Sequence, residues 1–480
     1  MAGGDPDEDE DEEDDAGGGA WSAQIPSEVP TEITRAAYLK GADIQGIDWA
    51  ALPITRAKYR ETRNTEYASY RNTDTQVDPA DKLAQFDTAK HMFQFEYTKL
   101  STKSSFAHFQ LRNLVWAPTK NDVFYTHDAI VRHWQPLTRA SRTFLDCFSD
   151  PRATPRGPVR LSSMCAAEGV LVAGGYLGEY IIKPLDDARL PPVAGIVTSD
   201  PNGISNQIEV CRARTGGAIG AVVASNDSKV RRMEVETRKI MQTLELGWPV
   251  NCAVQSPNRS MLAVVGDSTE TRIFDAVHGD EIMQLHGHVD FSFAAAWSPT
   301  SPLLATGNQD RTTRIYDLRF PTRTLHTLKS SIGAVRSLRY AADGTLAIAE
   351  DADYVHLLCP RMQQMQSLDF FGEISGIAFT PDDMGDRLFI GNADEAYGSL
   401  LEYSRVRRAG AGAGGWWGGW EEVQDEKVGG DEDEAALRAG RDDLRMRYSI
   451  QGGTPGQYVE VDWGSFGDMF DIGMAGAELV

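Results

Sequence analysis

The feature that most constrains the fold is a pattern that returns about every 40 residues through the second half of the chain. Trp297 ends an apolar run and is followed by Ser-Pro, and 42 residues earlier Gln255 is also followed by Ser-Pro. Equivalent positions follow at Tyr340, 43 residues after Trp297, and at Phe379, a further 39 residues on. A constant period of this length is typical of repeat proteins, in which each unit packs on its neighbours.

Short apolar runs separated by turn residues extend the pattern upstream. Seven units can be counted, which begin near residues 109, 159, 205, 248, 286, 331 and 370. Few stretches between residues 91 and 408 could form a helix of ten residues, whereas short strand patterns recur throughout. We therefore predict an all-β fold, a seven-bladed β-propeller over residues 91–408.

A strand that precedes the first unit is predicted to close the ring. In MFQFEYTKL, at residues 92–100, Phe93, Phe95 and Tyr97 alternate with polar residues, which is typical of a half-buried strand. The last unit ends after its third strand, in GSLLEYSR, and an open ring would expose strand edges. We expect the early strand to supply the missing fourth strand of the last unit.

Charge divides the chain into a near-neutral body and two acidic ends. Of the net charge of −23, residues 1–15 contribute ten acidic and no basic side chains, and residues 421–480 contribute fifteen acidic and five basic ones. We predict an acidic disordered tail over residues 1–35 and a partly helical extension over residues 36–90. A Gly/Trp-rich, acidic and largely disordered tail is predicted over residues 409–480.

The extension contains a predicted short helix in LPITRAKYRETRNTEYASYRN. Pro53 would occupy its first helical position, Tyr59, Tyr67 and Tyr70 would pack on the body, and its arginines would stay in solvent. A nucleic-acid-binding face is the alternative, since such faces use basic and aromatic residues. The near-neutral body and the acidic tails disfavour nucleic acid as a partner.

The sequence carries none of the common signatures of enzymes, cofactor sites or membrane segments. The sequence contains no GxxxxGK[ST], GxSxG or HExxH motif and no Cys/His spacing typical of a metal site. No apolar run approaches the ~20 residues of a membrane span, and the acidic N-terminus lacks the pattern of a secretory signal. We expect a non-enzymatic protein with no cofactor, metal or membrane association. It would be a monomer or part of a complex.

Cysteine usage bears on the location of the protein. Five cysteines lie far apart in the sequence, an odd and sparse set that suits a reducing compartment. We therefore expect the cytoplasm, the nucleus or both.

Residues 285–319, LHGHVDFSFAAAWSPTSPLLATGNQDRTTRIYDLR, resemble one WD repeat, the four-stranded blade of a propeller. In WD repeats a His, a Ser or Thr, an Asp and an aromatic residue form a buried hydrogen-bonded tetrad. The resemblance assigns these positions to His288, Thr306, Asp310 and Tyr316, with Tyr316 in place of the usual Trp. The other units lack the Gly-His pair, and we expect them to rely on apolar packing.

A wider resemblance covers residues 41–405. Stretches such as GADIQGIDWAALPITRAKYRETR, HFQLRNLVWAPTKNDVFY, WPVNCAVQSP and DFFGEISGIAFTPD are similar to a plant and fungal family of WD-repeat, transducin-like proteins of unassigned function. The resemblance implies a propeller with an N-terminal extension and no known enzymatic activity. In the last unit, GNADEAYGS lacks the expected Trp-Asp, and the tail after Arg408 has no counterpart in the family.

Residues 304–319 also resemble the sixteen-residue box of WD proteins that act as substrate receptors of cullin-RING ubiquitin ligases. Asp310, Asp317 and Arg319 match its characteristic positions, and Tyr316 is an accepted variant. The resemblance implies that Arg319 lies on the surface and contacts the ligase adaptor. The alternative is an ordinary end of a repeat, in which Arg319 is only solvated.

Three functions therefore compete. The first is a protein-interaction scaffold or adaptor, and the second is a substrate receptor of a ubiquitin ligase. The third is a transcription- or chromatin-associated factor, because acidic residues alternate with Trp463, Phe466 and Phe470 near the C-terminus. The acidic tails could bind basic partners such as histones, or they could only maintain solubility.

Overall fold

The fold is built almost entirely of short antiparallel strands. The computed structural model describes residues 30–67, 83–88, 91–108, 110, 112–151, 157–187, 189–214, 217–382 and 384–406. These ranges contain 28 strands, and two α-helices and a 3₁₀ turn lie between the first strand and the second. No helix in these ranges is long and apolar enough to span a membrane.

Units 1 to 5 each form a separate four-stranded sheet. Unit 1 contains β3 (Val115–Thr119), β4 (Asp122–His127), β5 (Ile130–Gln135) and β6 (Ala140–Asp146). Unit 2 contains β7 (Leu161–Ala167), β8 (Val170–Gly175), β9 (Glu179–Pro184) and β10 (Val193–Ile196). Unit 3 contains β11 (Ser205–Arg212), β12 (Ile219–Ser225), β13 (Lys229–Glu234) and β14 (Ile240–Glu245). Unit 4 contains β15 (Val250–Gln255), β16 (Met261–Gly266), β17 (Thr271–Asp275) and β18 (Glu281–Leu285). Unit 5 contains β19 (Ser292–Trp297), β20 (Leu303–Asn308), β21 (Thr312–Asp317) and β22 (Thr324–Lys329).

Units 6 and 7 share one eight-stranded sheet. Its strands are β1 (Glu32–Thr34), β2 (Phe93–Lys99), β23 (Val335–Tyr340), β24 (Leu346–Glu350), β25 (Ala352–Leu358), β26 (Met365–Phe379), β27 (Arg387–Asn392) and β28 (Ser399–Arg405). The first part of β26 pairs with β25, and its second part, from Ile374 onward, pairs with β27. Strand β26 thus serves as the outer strand of unit 6 and the inner strand of unit 7. The predicted number of seven blades depends on this division of β26 and stays a prediction.

The repeat positions found in the sequence coincide with one structural position. Gln255, Trp297, Tyr340 and Phe379 are each the last residue of an inner strand, in β15, β19, β23 and β26. Successive inner strands pack side by side, and the second part of β26 packs against β3, so the units form a ring around a central channel. The predicted all-β propeller fold is confirmed.

The strand that precedes the first unit closes the ring. Strand β2 pairs antiparallel with β28, from Phe93 opposite Arg405 to Lys99 opposite Leu400. This confirms the predicted pairing. A fifth strand, β1, adds to the outside of β2 through Glu32–Thr34, so the predicted end of the disordered tail at residue 35 is too late. Residues 1–29 and 407–480 lie outside the described residues.

Two faces of the ring can be defined from the strand directions. The entry face is where inner strands begin, and it carries the links between units and the turns between second and third strands. The exit face carries the turns between first and second strands and between third and fourth strands. Residues 83–88 add a strap at the ring edge, where Leu83 and Asp87 form single bridges to Thr327 and Gln364.

The helix of the N-terminal extension differs from its prediction. Helix α1 is a single turn at Arg35–Tyr38, and helix α2 spans Arg56–Glu66. Thr55 caps α2 by accepting a hydrogen bond from the Lys58 amide, so Pro53 lies before the helix and not at its first position. The arginines of α2 were predicted to stay in solvent, and this is wrong for Arg60, which is buried.

A buried carboxylate explains why these arginines leave solvent. Asp353, whose side chain is fully buried, accepts hydrogen bonds from Arg60 Nη1 at 2.7 Å and from Arg63 Nε at 2.6 Å. The Arg60 guanidinium also lies 4.8 Å from the ring centre of Tyr354 and 4.2 Å from that of Phe371. Arginine stacks well on aromatic rings, so α2 is anchored to units 6 and 7 by charge and by stacking.

Replacement of Asp353 by Asn tests this anchor. Asp353 has a φ of 68°, a backbone conformation that Asn also tolerates, so the change removes charge with little backbone strain. We expect Asp353→Asn to lower the free energy of unfolding by roughly 3 kcal/mol, because the buried Arg60 and the partly buried Arg63 lose their carboxylate. Urea denaturation measures the loss. Glu61→Gln is the control, because Glu61 pairs with Lys58 on the same helix at a side-chain exposure of 68%, and an equal loss there would contradict the assignment.

Candidate functional site

The four predicted tetrad residues lie together at the entry face of unit 5. His288 Nδ1 is 2.8 Å from Asp310 Oδ2, and His288 Nε2 is 2.8 Å from Thr306 Oγ1. Gly287, which precedes the histidine, has a φ of 129°, a backbone conformation that residues with a side chain rarely adopt. The Gly-His pair of the sequence therefore has a steric reason, because glycine alone adopts this conformation readily.

The fourth residue makes a different bond from the other three. The Tyr316 hydroxyl donates to the backbone carbonyl of His286 at 3.2 Å. Asp310 also accepts from the Thr312 hydroxyl at 2.6 Å. Burial opposes ionisation of Asp310, but the adjacent His288 and the bonds from His288 and Thr312 outweigh it and lower its pKa. The network thus holds a buried carboxylate with its partners, as buried polar groups require.

The expectation that the other units rely on apolar packing is wrong for unit 6. There the buried carboxylate of Glu350 accepts hydrogen bonds from the backbone amides of Ser331, Ile332 and Gly333. His356 Nε2 lies 2.7 Å from Glu350, and His356 Nδ1 lies 2.7 Å from the Ser367 hydroxyl. A His–carboxylate pair therefore fixes two neighbouring units, although unit 6 builds its pair from different strand positions.

The predicted adaptor-binding residues lie on the exit face, in the turn after β21. Arg319 has a side-chain exposure of 66%, and its guanidinium makes two bonds to Asp317, with Nη2 at 2.6 Å from Oδ2 and Nε at 2.9 Å from Oδ1. These bonds lower the pKa of Asp317. The neighbouring Phe320 is also 66% exposed. The tail residues Trp463, Phe466 and Phe470 lie outside the described residues.

The channel wall contains a β-bulge that is repeated from unit to unit and was not predicted from the sequence. In units 2 to 7, the second residue of the inner strand is a bulge that has no partner on the second strand. These residues are Ser162, Asn206, Asn251, Phe293, Arg336 and Ser375. A bulged residue turns its side chain out of the regular alternation. In the part of the chain that is described, this places six side chains around the entrance of the channel.

Several of these side chains bond the next inner strand. The donor–acceptor pairs are Ser162 Oγ to Ser205 O at 2.8 Å, Asn206 Nδ2 to Val250 O at 2.9 Å and Asn251 Nδ2 to Ser292 O at 3.1 Å. Between units 5 and 6 a stacking contact takes the place of this hydrogen bond, since the Arg336 guanidinium lies 4.0 Å from the centre of the Phe293 ring. Polar side chains thus link the units at three junctions, and an arginine–aromatic pair links them at the junction of units 5 and 6.

A cavity at the channel entrance lies where this change occurs. Its lining includes Arg112, Arg336 and Arg339, together with Asn113 and Gln207, and no carboxylate among the described residues. Each arginine stacks on an aromatic ring: Arg112 on Phe106 at 3.4 Å, Arg336 on Phe293 at 4.0 Å and Arg339 on Trp116 at 4.5 Å. We call the three arginines the channel arginines. Only their clustering in space, not their spacing in sequence, marks them as a site.

Deeper in the channel, Glu209 accepts a hydrogen bond from the Gln255 backbone amide at 2.6 Å. Burial raises the pKa of Glu209 to about 7, and the Gln255 amide and Arg339 oppose that rise only in part. This carboxyl therefore changes charge near neutral pH. No group of three or more His, Cys, Asp or Glu side chains in the described ranges is arranged to bind a metal ion.

The chain is similar to WD-repeat proteins. Residues 279–317, which contain β18 of unit 4 and the first three strands of unit 5, match the family WD domain, G-beta repeat. Uncharacterized protein C4G3.03 of Schizosaccharomyces pombe is 24% identical over 317 residues, which cover 60% of this chain and 86% of that protein. Serine-threonine kinase receptor-associated protein of Mus musculus is 28% identical over 112 residues, and this match spans 23% of this chain and only 32% of that protein.

A solved structure supports the fold. A chain of the Crystal Structure of Mitotic Checkpoint Complex superimposes with a TM-score of 0.53 at 15% sequence identity. The superposition covers 70% of this chain and 100% of that chain. At this level of identity, the likeness concerns the propeller fold alone.

The tetrad can be tested against the surface arginine of the same unit. We expect Asp310→Ala to lower the free energy of unfolding by about 2–3 kcal/mol, because His288 and Thr312 lose a buried charged acceptor. Arg319→Ala should change it by no more than about 0.5 kcal/mol, because its side chain is exposed. Chemical denaturation of both variants measures the two values. A larger loss for Arg319→Ala than for Asp310→Ala would contradict the structural role of the tetrad.

The pKa of Glu209 predicts a specific pH dependence. Because the folded protein holds this proton more tightly than the unfolded chain, Glu209 makes the fold less stable as the pH rises from about 4.5 to about 7. Glu209→Gln removes that effect, so the variant should match the parent near pH 4.5 and exceed its free energy of unfolding by on the order of 2 kcal/mol above pH 7. Denaturation between pH 4.5 and 8 measures the difference. Glu236→Gln, in an exposed turn, is the control, and a pH-independent difference for Glu209→Gln would contradict the prediction.

Proposed function

We propose that the protein is a non-enzymatic interaction scaffold or adaptor that binds other proteins through its propeller. The observation that carries this proposal is the set of arginine–aromatic pairs at the channel entrance, on the entry face. Arginine and aromatic residues are enriched where protein interfaces concentrate their binding energy. Rigid strands hold these side chains, so little ordering would be needed when a partner binds.

The relatives support the same class of function. The mouse relative is named for association with a serine-threonine kinase receptor, which is a binding role for that protein. WD-repeat propellers are typically non-catalytic, and we propose that this chain is not an enzyme. We further propose a location in the cytoplasm, the nucleus or both, which rests on the sparse cysteines of the sequence.

Proximity labelling in cells tests the scaffold proposal. A biotin ligase fused to the full chain should label a reproducible set of proteins above the level of the free ligase. Arg112→Gln should remove part of that set if the entry face binds partners, and a chain that ends at Arg408 separates contributions of the C-terminal tail. A labelled set no larger than that of the free ligase would contradict the scaffold proposal.

A ubiquitin-ligase receptor is the second candidate function. The exposed position of Arg319 favours it, since the two bonds to Asp317 hold the guanidinium on the exit face, away from the channel entrance. A protein could then contact a ligase adaptor with one face and a substrate with the other.

Co-purification with the ligase adaptor tests this second candidate. Arg319→Ala should abolish the association, whereas Arg323→Ala, an exposed arginine six residues from Asp317, should leave it intact. Recovery of the adaptor at equal levels with both variants would contradict the receptor function.

A further inference from the structure

Arg112, one of the channel arginines, has hydrogen-bond donors without acceptors among the described residues. The Arg112 side chain has an exposure of 2%, and its Nε and Nη1 atoms contact no acceptor among the described residues. The side-chain nitrogen of the neighbouring Asn113 is also buried without an acceptor in the same part of the chain. A buried guanidinium with open donors is costly, so this position favours an incoming group that carries acceptor oxygens.

The nearest carboxylates do not fill this position. Glu373 is 3.4 Å from Arg112 Nη2, but it does not line the cavity and its side chain is 43% exposed. Asp351 lies at the same face, and Glu209 lies deeper in the channel and interacts with Arg339. The cavity lining itself contains three arginines and no acidic residue. Its inner surface is therefore positive while its surroundings are mixed in charge.

The lowered pKa of a nearby histidine supports the positive charge of the cavity lining. His108, in the link between β2 and β3, has a pKa lowered to about 4 by burial first, and then by Arg112, Arg336 and Arg160. A neutral imidazole beside three guanidinium groups adds no further cation to the entrance. The positive charge at the entrance thus comes from the arginines, whose forked geometry suits carboxylate and phosphate.

We propose that the channel arginines bind an oxyanion, a phosphate or carboxylate group, that a partner protein inserts into the entrance. The cavity between the lining side chains is only about 20 Å³ and is partly open to solvent, so the inserted group must be small. Arg112 supplies the open donors, and Arg339, held by Asn113, supplies charge behind it. This inference rests on the proposed scaffold function and names the chemistry that its entry face recognises.

Binding of inorganic phosphate to the full chain tests the anion site directly. Equilibrium dialysis with radiolabelled phosphate, in buffer without chloride, should give saturable binding at one site per chain. Arg112→Gln should weaken the affinity about tenfold or more, since hydrogen bonds to charged groups contribute this much. Arg189→Gln is the matched control, because Arg189 is 90% exposed on the exit face, in the turn after β9, and its change should have no effect.

A second variant protects the test against a folding defect. If Arg112→Gln shifts the urea denaturation midpoint, Arg339→Gln is measured in its place, and we expect the same loss of affinity. Absence of saturable phosphate binding would overturn the proposal. Equal affinities in the parent chain and in a folded Arg112→Gln or Arg339→Gln variant would also overturn it.

A peptide arm distinguishes the source of the oxyanion. Fluorescence anisotropy is measured with a labelled Gly-Gly-phosphoserine-Gly-Gly peptide and with its serine counterpart. The proposal expects binding of the phosphoserine peptide alone, lost in Arg112→Gln and retained in Arg189→Gln. Binding of free phosphate without the phosphopeptide would overturn the assignment to a partner's side chain. The scaffold function would still be tested by the proximity-labelling experiment, so each proposal can fail without the other.

Discussion

The edges of the inner strands impose the constraint on which the rest of the structure depends. Within each unit the inner strand pairs on one side only, so its other edge presents unpaired amides and carbonyls to the channel. Side chains from the preceding unit satisfy several of these groups, as the bond from Asn206 to the Val250 carbonyl and that from Asn251 to the Ser292 carbonyl illustrate. Each unit therefore needs its neighbour, and the ring is stable only when it is closed.

Closure explains why the N-terminal region belongs to the propeller. Strand β2 supplies the outer strand of the last unit, so the two ends of the repeat region are joined by backbone hydrogen bonds. Helix α2 follows the same logic with side chains, because Asp353 would be a buried, unpaired carboxylate without Arg60 and Arg63. Burying Asp353 of the repeat region, or the arginines of the extension, without a partner would cost free energy. The ion pair between them removes that cost.

The periodicity of the sequence predicts where the strands of the repeat lie. Contacts between residues that are far apart in the sequence could not be predicted from it. The spacing between Gln255, Trp297, Tyr340 and Phe379 is sufficient to locate four inner strands, because each unit repeats the same apolar run. The burial of the α2 arginines could not be predicted from helical spacing, since it depends on Asp353, almost 300 residues away. The Glu350–His356 pair was missed for a related reason: its residues occupy positions that differ from those of the Gly-His tetrad.

The channel arginines were missed because their significance lies in a comparison between units. Where most units place a serine or an asparagine at the bulge of the inner strand, units 5 and 6 place Phe293 and Arg336. A serine or an amide can bond the next strand, whereas an aromatic ring cannot accept or donate such a bond and offers a surface on which a guanidinium stacks. The wall is thus held by stacking at this junction, and the cavity lined by arginines opens there. At the bulge position, four of the six units use serine or asparagine, and only units 5 and 6 use an aromatic residue and an arginine. Serine or asparagine would have served to hold the wall here as well. The exchange is therefore explained better by binding than by stability.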